Sequence, residues 1–160
     1  MCIRDRTGKF DAVVSVEMIE AVGEKYWPTY FSAIDERLAP GGKVAIQAIL
    51  IDHDRMVATR DTYTWIHKYI FPGGLLPSTE AIEQVLGDHT TLRTSDVRSI
   101  GQHYAHTLRL WREQFLANWD EVEALGFDGT FRRMWEFYLA YCEAGFRTGY
   151  LDVAQLRITR

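Results

Sequence analysis

FDAVVSVEM (residues 10–18) decides how the chain is read. Its Val13, Val14 and Val16 form a near-continuous β-branched block that ends in acid at Glu17, with Glu20 just beyond. Such a run is what a strand buried on both faces of a parallel sheet needs, since helices then cover both sides. From Glu24 the spacing changes. Trp27, Tyr30, Phe31, Ile34 and Leu38 recur at steps of three and four, as one helical face does, and APGG (39–42) stops the pattern. A second buried strand, KVAIQAILI (43–51), follows. Strand, helix and strand with short connections is the βαβ unit, whose strands lie parallel. Parallel sheets take ligands beyond the carboxyl ends of their strands, which directs attention to residues 17–23 and 47–54.

Residues 60–86 read as a helix, an apolar loop and a helix opened by Ser78, with Glu80, Ile82, Val85 and Leu86 behind it. The loop lies within HKYIFPGGLLPS (67–78), which has no acidic residue, two prolines and a Gly-Gly pair. An excursion of this length suits a lid or a binding wall. TTLRTSDVRSI (90–100) reads as a strand. Leu108, Trp111, Phe115, Trp119, Val122 and Leu125 share one helical face up to Gly126. Phe131, Met134, Trp135, Tyr138, Leu139, Cys142 and Phe146 share another up to Gly149. YLDVAQLRIT (150–159) closes the chain as a strand. With no repeats or linkers, residues 10–160 read as one domain. Residues 1–9, opening with the aperiodic MCIRDR, are set apart as an unreliable segment.

A length of 160 residues allows one domain with a real core but is short for an enzyme carrying its own cofactor site, so a piece of a longer enzyme is expected. With 47% hydrophobic and 25% charged residues the chain belongs among globular proteins, not disordered ones. The 13% aromatic share suits a large pocket or a heavy core. A net charge of -4 without a basic tract argues against a nucleic-acid partner. Cys2 and Cys142 stand far apart and outside metal-ligand spacing, which points to a reducing compartment and no structural zinc. No apolar run reaches the roughly 20 residues of a membrane span, and no secretory signal layout opens the chain. A cytoplasmic protein is expected.

Several side chains could carry chemistry. Glu20, just past a buried strand, stands where parallel sheets present ligands, although an acid there also serves the free N–H groups of a helix start. Gln47 falls in mid-strand, where its amide must find partners at the risk of roughly 1–3 kcal/mol; a satisfied core amide and a functional one read alike. Tyr104 in GQHYAHTL precedes a helix, and a structural tyrosine is the more common reading. His103 and His106 lack a third ligand, so no metal site is expected. Cys142 lies on an apolar stripe and reads as a packed thiol. Neither APGG nor FPGG has the strand-to-helix setting of a phosphate loop.

Read together, SVEMIEAVGEKYW, LAPGGKVAIQAI, KYIFPGGLLPS, GQHYAHTLRLWREQF, FRRMWEFYLAYCEAGFR and GYLDVAQLRITR resemble the C-terminal portion of the cyclopropane-fatty-acyl-phospholipid synthase family. These S-adenosylmethionine-dependent methyltransferases include the mycolic acid cyclopropane synthases. The resemblance, which runs from about Phe10 to Arg160, implies an α/β class I methyltransferase fold with a helical insertion. Its sheet is mostly parallel, with one reversed strand near the C-terminal edge. Residues 10–16 would be its fourth strand and 43–51 its fifth. The first three strands, with the glycine-rich cofactor loop, would lie outside this chain.

The family reaction, as the resemblance implies it, joins the sulfonium methyl of S-adenosylmethionine to a cis alkene of a phospholipid acyl chain. A bound bicarbonate then takes a proton from the new methyl and a cyclopropane ring closes. Water must be excluded from the carbocation. By resemblance, the glutamate that holds bicarbonate is Glu20 in IEAVG, the tyrosine is Tyr104, and the backbone contribution comes from Ile49. The family's histidine falls on Gln47, a departure that opens a methyl-branched or methylene product. The family's cysteine would lie outside the chain, so Cys2 does not take its place. Ser15 and Glu17 are assigned to the cofactor. Tyr69, Ile70, Phe71, Pro72, Gly73, Gly74 and Leu76 are assigned to the acyl tunnel, where apolar surface is worth roughly 25 cal/mol per Å² buried. The implied partners are phospholipid acyl chains, met peripherally at the inner membrane face, and a homodimer is compatible with the family. A same-fold methyltransferase acting on a small molecule and a non-catalytic lipid-binding remnant are the competing readings.

Overall fold

The computed structural model describes residues 7–160. Cys2 and the rest of residues 1–6 lie outside them. The chain divides into two compact units, one of residues up to Ser99 together with Val153–Arg160, the other of Ile100–Asp152. No linker marks the change, because a strand runs straight into a helix at one junction and the last strand spans the other.

In the first unit, strand β1 (Phe10–Val16) leads to a one-turn helix α1 (Ile19–Val22), a 3-10 turn and helix α2 (Trp27–Arg37). Strand β2 (Leu38–Ile51) returns parallel to β1, with Val14 against Ala45 and Val16 against Gln47. Trp27, Phe31, Ile34 and Leu38 are buried as their spacing requires. APGG does not separate helix from strand. Leu38 already pairs with Phe10, and the extra residues are taken up by a shift of register before Lys43 meets Ala12.

Helices α3 (His53–Thr59), α4 (Trp65–Tyr69) and α5 (Thr79–His89) fill the excursion after β2. Helix α5 starts where expected, with Ser78 Oγ accepting the Ala81 N–H at 3.0 Å. Helix α3 was not anticipated; Asp52 caps it through the Arg55 N–H at 3.3 Å. Strand β3 (Arg93–Ser99) pairs antiparallel with β4 (Leu151–Thr159), and the sheet order is β1-β2-β4-β3. The reversed strand near the C-terminal edge is therefore present. Arg160 closes the unit by binding Asp35 at 2.8 Å.

Among the described residues, β1 and β2 are covered on one face only. In β1, Val13 and Ser15 are buried while Val14 and Val16 are 69% and 54% exposed. In β2, Val44, Ile46, Ala48 and Leu50 are buried, and Lys43 and Ala45 on the other face are exposed. The core joins these inward residues to Phe31, Ile82, Leu86, Leu156 and Ile158. Helical cover on one face alone gives alternation, and among the outward positions of β2 and β4 Lys43, Gln47, Gln155 and Arg157 announce it in polarity.

The second unit is a helical hairpin of α6 (Gly101–Ala117), a short α7 (Trp119–Ala124) and α8 (Gly129–Arg147). The apolar stripe read as one helix up to Gly126 breaks at Asn118, whose backbone leaves the helical region and whose side chain donates to Gln114 O at 2.7 Å. Leu125 is consequently 79% exposed. Helix α6 starts under Asp152, whose Oδ1 accepts the Gly101 N–H at 2.9 Å; a Cβ at residue 101 would stand 2.4 Å from that oxygen, so only glycine fits. Glu143, buried on α8, binds Arg112 of α6 at 3.0 Å and also Arg147. Cys142 is half-buried and burial pushes its thiol up to about 11, which makes it a packed thiol.

We expect Glu143→Ala to destabilise the protein by about 1.5–3 kcal/mol, the usual worth of a hydrogen bond to a charged group, since Arg147 loses its acceptor and Arg112 its ion-pair partner on α8. Denaturant unfolding checks this, and an unchanged midpoint would show that the pair is replaced by solvent.

Candidate functional site

The site is built where β1 and β2 end. Glu17 follows β1 with φ of 49°, a left-handed backbone that costs a side-chain-bearing residue roughly 1 kcal/mol or more. Its N–H donates to Gln47 O at 2.8 Å, which extends the parallel ladder by one bond. Its Oε1 accepts from Gln47 Nε2 at 3.0 Å, and Gln47 Oε1 accepts from Gln155 Nε2 at 3.1 Å. The mid-strand amide is thus satisfied on both sides, by a strand end and by β4.

Three residues on, α1 turns Glu20 back over the sheet. Its Oε1 accepts the Ile49 N–H at 2.6 Å, and its main-chain carbonyl accepts the Leu75 N–H at 2.9 Å. Its Oε2 is buried without a hydrogen-bond partner among the described residues. Burial raises the Glu20 pKa above its ordinary value, the Ile49 N–H and its own N–H oppose the rise, and the nearby Glu17 charge adds to it. Tyr30 Oη donates to Ser15 Oγ at 2.6 Å, and burial pushes the phenol up to about 12.

The apolar loop is anchored to the same glutamate. After α4, Phe71-Pro72-Gly73-Gly74 makes a tight turn, with Gly74 N–H on Phe71 O at 3.2 Å and Gly73 at φ 76°. Proline second and left-handed glycine third is the pattern of a type II turn. Pro77 O accepts the Ile51 N–H at 3.0 Å, tying the loop to the end of β2. Leu75 packs against the core, whereas Tyr69 and Phe71 are about half exposed, 50% and 53%. Ile70, Gly74 and Leu76 are half-buried, and Pro72 and Gly73 are exposed.

The structure thus brings together Glu17, Glu20, Gln47, Ile49 and the 69–76 loop. It buries Ser15 on the core side under Tyr30, which leaves only its backbone for a cofactor. The Ile49 N–H is already committed to Glu20. Tyr104 belongs to the helical unit and lies inside α6, not before it, because Gly101 already starts the helix. Its ring packs edge-on against Phe146 at 5.1 Å. Gln155 and Tyr30 were missed. Gln155 pairs with Gln47 across 108 residues of chain, and nothing in its local sequence announces that. Among the described residues no three His, Cys, Asp or Glu side chains gather as metal ligands do.

The α/β sheet with a reversed strand that carries this carboxyl and loop is the fold of S-adenosylmethionine-dependent methyltransferases. A family model described as mycolic acid cyclopropane synthetase matches residues 3–156. Tuberculostearic acid methyltransferase UfaA1 of Mycobacterium tuberculosis is 62% identical over 157 residues, 98% of this chain and 37% of that protein. Cyclopropane-fatty-acyl-phospholipid synthase of Escherichia coli is 36% identical over 157 residues, 98% of this chain and 39% of that protein. The crystal structure of mycolic acid cyclopropane synthase CmaA1 complexed with SAH and CTAB matches with a TM-score of 0.87 at 26% identity, covering 99% of this chain and 58% of that one. The chain belongs to the mycolic acid cyclopropane synthetase family of methyltransferases, and it spans well under half the length of these two curated relatives. The resemblance read from six motifs and the α/β methyltransferase fold are both borne out.

A raised folded-state pKa gives Glu20 a stabilising contribution that is complete below its ordinary 4.5 and is lost as pH rises through the folded value. Glu20→Gln should therefore melt higher than the parent at pH 7, with the difference shrinking to nothing below pH 4.5. Thermal melts followed by circular dichroism across that range check it.

Proposed function

We propose that the protein transfers a methyl group from S-adenosylmethionine to the cis double bond of an unsaturated phospholipid acyl chain, in lipid biosynthesis, and that the product is a branched chain. The observation that carries this reading is the Glu20 carboxyl, fixed by the Ile49 N–H through one oxygen while the other is buried and unpartnered. When bound, S-adenosylmethionine supplies an electrophilic methyl on a sulfonium centre.

The chain's own residues must then shelter the cationic acyl chain and remove a proton from it. The loop from Tyr69 to Leu76 offers apolar surface without charge, anchored on Glu20, and the apolar reach of residues 63–76 favours a lipid over a small molecule. Glu20, held toward its protonated form, can donate from Oε2 to an anionic oxygen, so the carboxyl fits a bound bicarbonate. Gln47 would complete the anion's contacts, and Tyr104 is assigned to it by the family resemblance alone. Phospholipid would be met at a membrane surface; among the described residues no helix is long and apolar enough to cross one.

Loss of a proton from the new methyl closes a cyclopropane ring, and loss from the neighbouring chain carbon leaves a methyl-branched alkene. The 62% identity to a tuberculostearic acid methyltransferase and Gln47 at the family's histidine position support the branch. The Escherichia coli relative supports the ring as the second reading.

Methyl-labelled S-adenosylmethionine with vesicles of a monounsaturated phospholipid should place label in the acyl fraction, and proton NMR of the esters should show the vinyl and branch-methyl signals of a branched alkene rather than the upfield protons of a cyclopropane. Label confined to a water-soluble product would overturn the lipid reading; a ring would select the second. Tyr104→Phe should lower turnover about tenfold, the worth of one hydrogen bond to a charged group. A change in melting temperature alone would remove Tyr104 from the site.

A further inference from the structure

We propose that Glu17 is a positioning residue that sets the polarity of the Gln47 amide, so that Gln47 meets its ligand as a hydrogen-bond donor. The proposal rests on the reading that Gln47 belongs to the methyl-transfer site, and it assigns Glu17 a role other than cofactor binding.

A glutamine amide can turn over and exchange its N–H₂ for its oxygen, so a site that uses it must hold one orientation. Here Nε2 lies 3.0 Å from Glu17 Oε1 and Oε1 lies 3.1 Å from Gln155 Nε2. Gln155 cannot choose the orientation, because its own amide can turn over to match either face of Gln47. An ionised carboxylate only accepts. With Glu17 in place, the turned-over amide would set two acceptor oxygens against each other.

Glu17 therefore fixes Nε2 toward itself, and Gln155 follows. One Nε2 hydrogen goes to Glu17, and the second remains to donate to a ligand oxygen. The chemical class that fits is an anionic or carbonyl oxygen.

Backbone geometry points the same way. Residue 17 has a left-handed φ of 49° and donates its N–H to Gln47 O at 2.8 Å, so main chain and side chain grip the same partner. Glycine adopts that φ without steric cost, and a fold under pressure for stability alone would favour it. The side chain present instead is one whose carboxylate reaches Gln47.

That contrast supplies the test, since Glu17→Gly removes the acceptor while relaxing the backbone. In ¹⁵N-labelled protein we expect Glu17→Gly to melt at or above the parent temperature and to narrow the separation of the two Gln47 Nε2 proton resonances. Turnover should fall about tenfold with the KM for S-adenosylmethionine unchanged. Glu17→Gln, which keeps an acceptor oxygen at the same reach, should recover part of both signals. Glu17→Gly combined with Gln47→Ala should turn over no more slowly than Gln47→Ala alone.

Unaltered Gln47 resonances in Glu17→Gly would overturn the proposal, and so would a raised KM for S-adenosylmethionine at constant kcat. If the parent protein methylates no acyl chain, the functional reading fails, and the Gln47 resonances and melting temperature still decide whether Glu17 orients the amide.

Discussion

Three segments distant in sequence are registered to one another by a single glutamate. The Ile49 N–H at the end of β2 and the Leu75 N–H of the apolar loop both find their acceptor on Glu20, one on its carboxyl and the other on its carbonyl. A main-chain donor taken from water must be satisfied somewhere, and a loop with two prolines has few donors with which to hold itself. Its position depends on the few it keeps, at Phe71, Gly74 and Leu75, and on the Pro77 carbonyl that receives Ile51. The side chains of the loop are thereby placed relative to a carboxyl, the relation on which the proposed acyl wall rests.

The parallel β1–α2–β2 unit, the Ser78 start of α5 and the reversed β3–β4 pair were legible in the chain because each has a local cause: period, cap or alternation. Glu20 was legible because the carboxyl ends of parallel strands are where such sheets present ligands. Burial was not. Val14 and Val16 read as core because β-branched residues suit any strand; among the described residues nothing covers their face, in a chain that spans 37% of the length of its tuberculostearic acid methyltransferase relative. Helix α3 stayed hidden because Asp52 caps a segment, HDRMVAT, whose one buried apolar residue is Met56, too little for a period. Gln155 was invisible for a different reason, since its role exists only once β4 lies beside β2.

Within the helical unit, periodicity was informative about existence but not about continuity. Asn118 can bond its own preceding turn through its side chain, and that alternative competes with the helix ladder. The stripe after it lost its footing, although Trp119 itself is buried. Glu143 shows the converse. A charge on an otherwise apolar face is tolerated because arginines from α6 and from α8 itself reach it.

The polar end of the sheet unit is organised against stability. A side-chain-bearing residue in left-handed backbone at position 17 and a carboxyl withdrawn from water at position 20 each raise the free energy of the fold. The Glu17 charge adds to the second cost, because it disfavours ionisation of Glu20. Such costs persist where the surroundings over-determine them, and here the parallel ladder holds one residue while the Ile49 and Leu75 donors hold the other. A scaffold selected for rigidity alone would need neither, whereas chemistry on a charged, short-lived species needs donors whose direction and protonation are set before the substrate arrives. The proposed orientation of Gln47 and the raised pKa of Glu20 both follow from that arrangement at the strand ends.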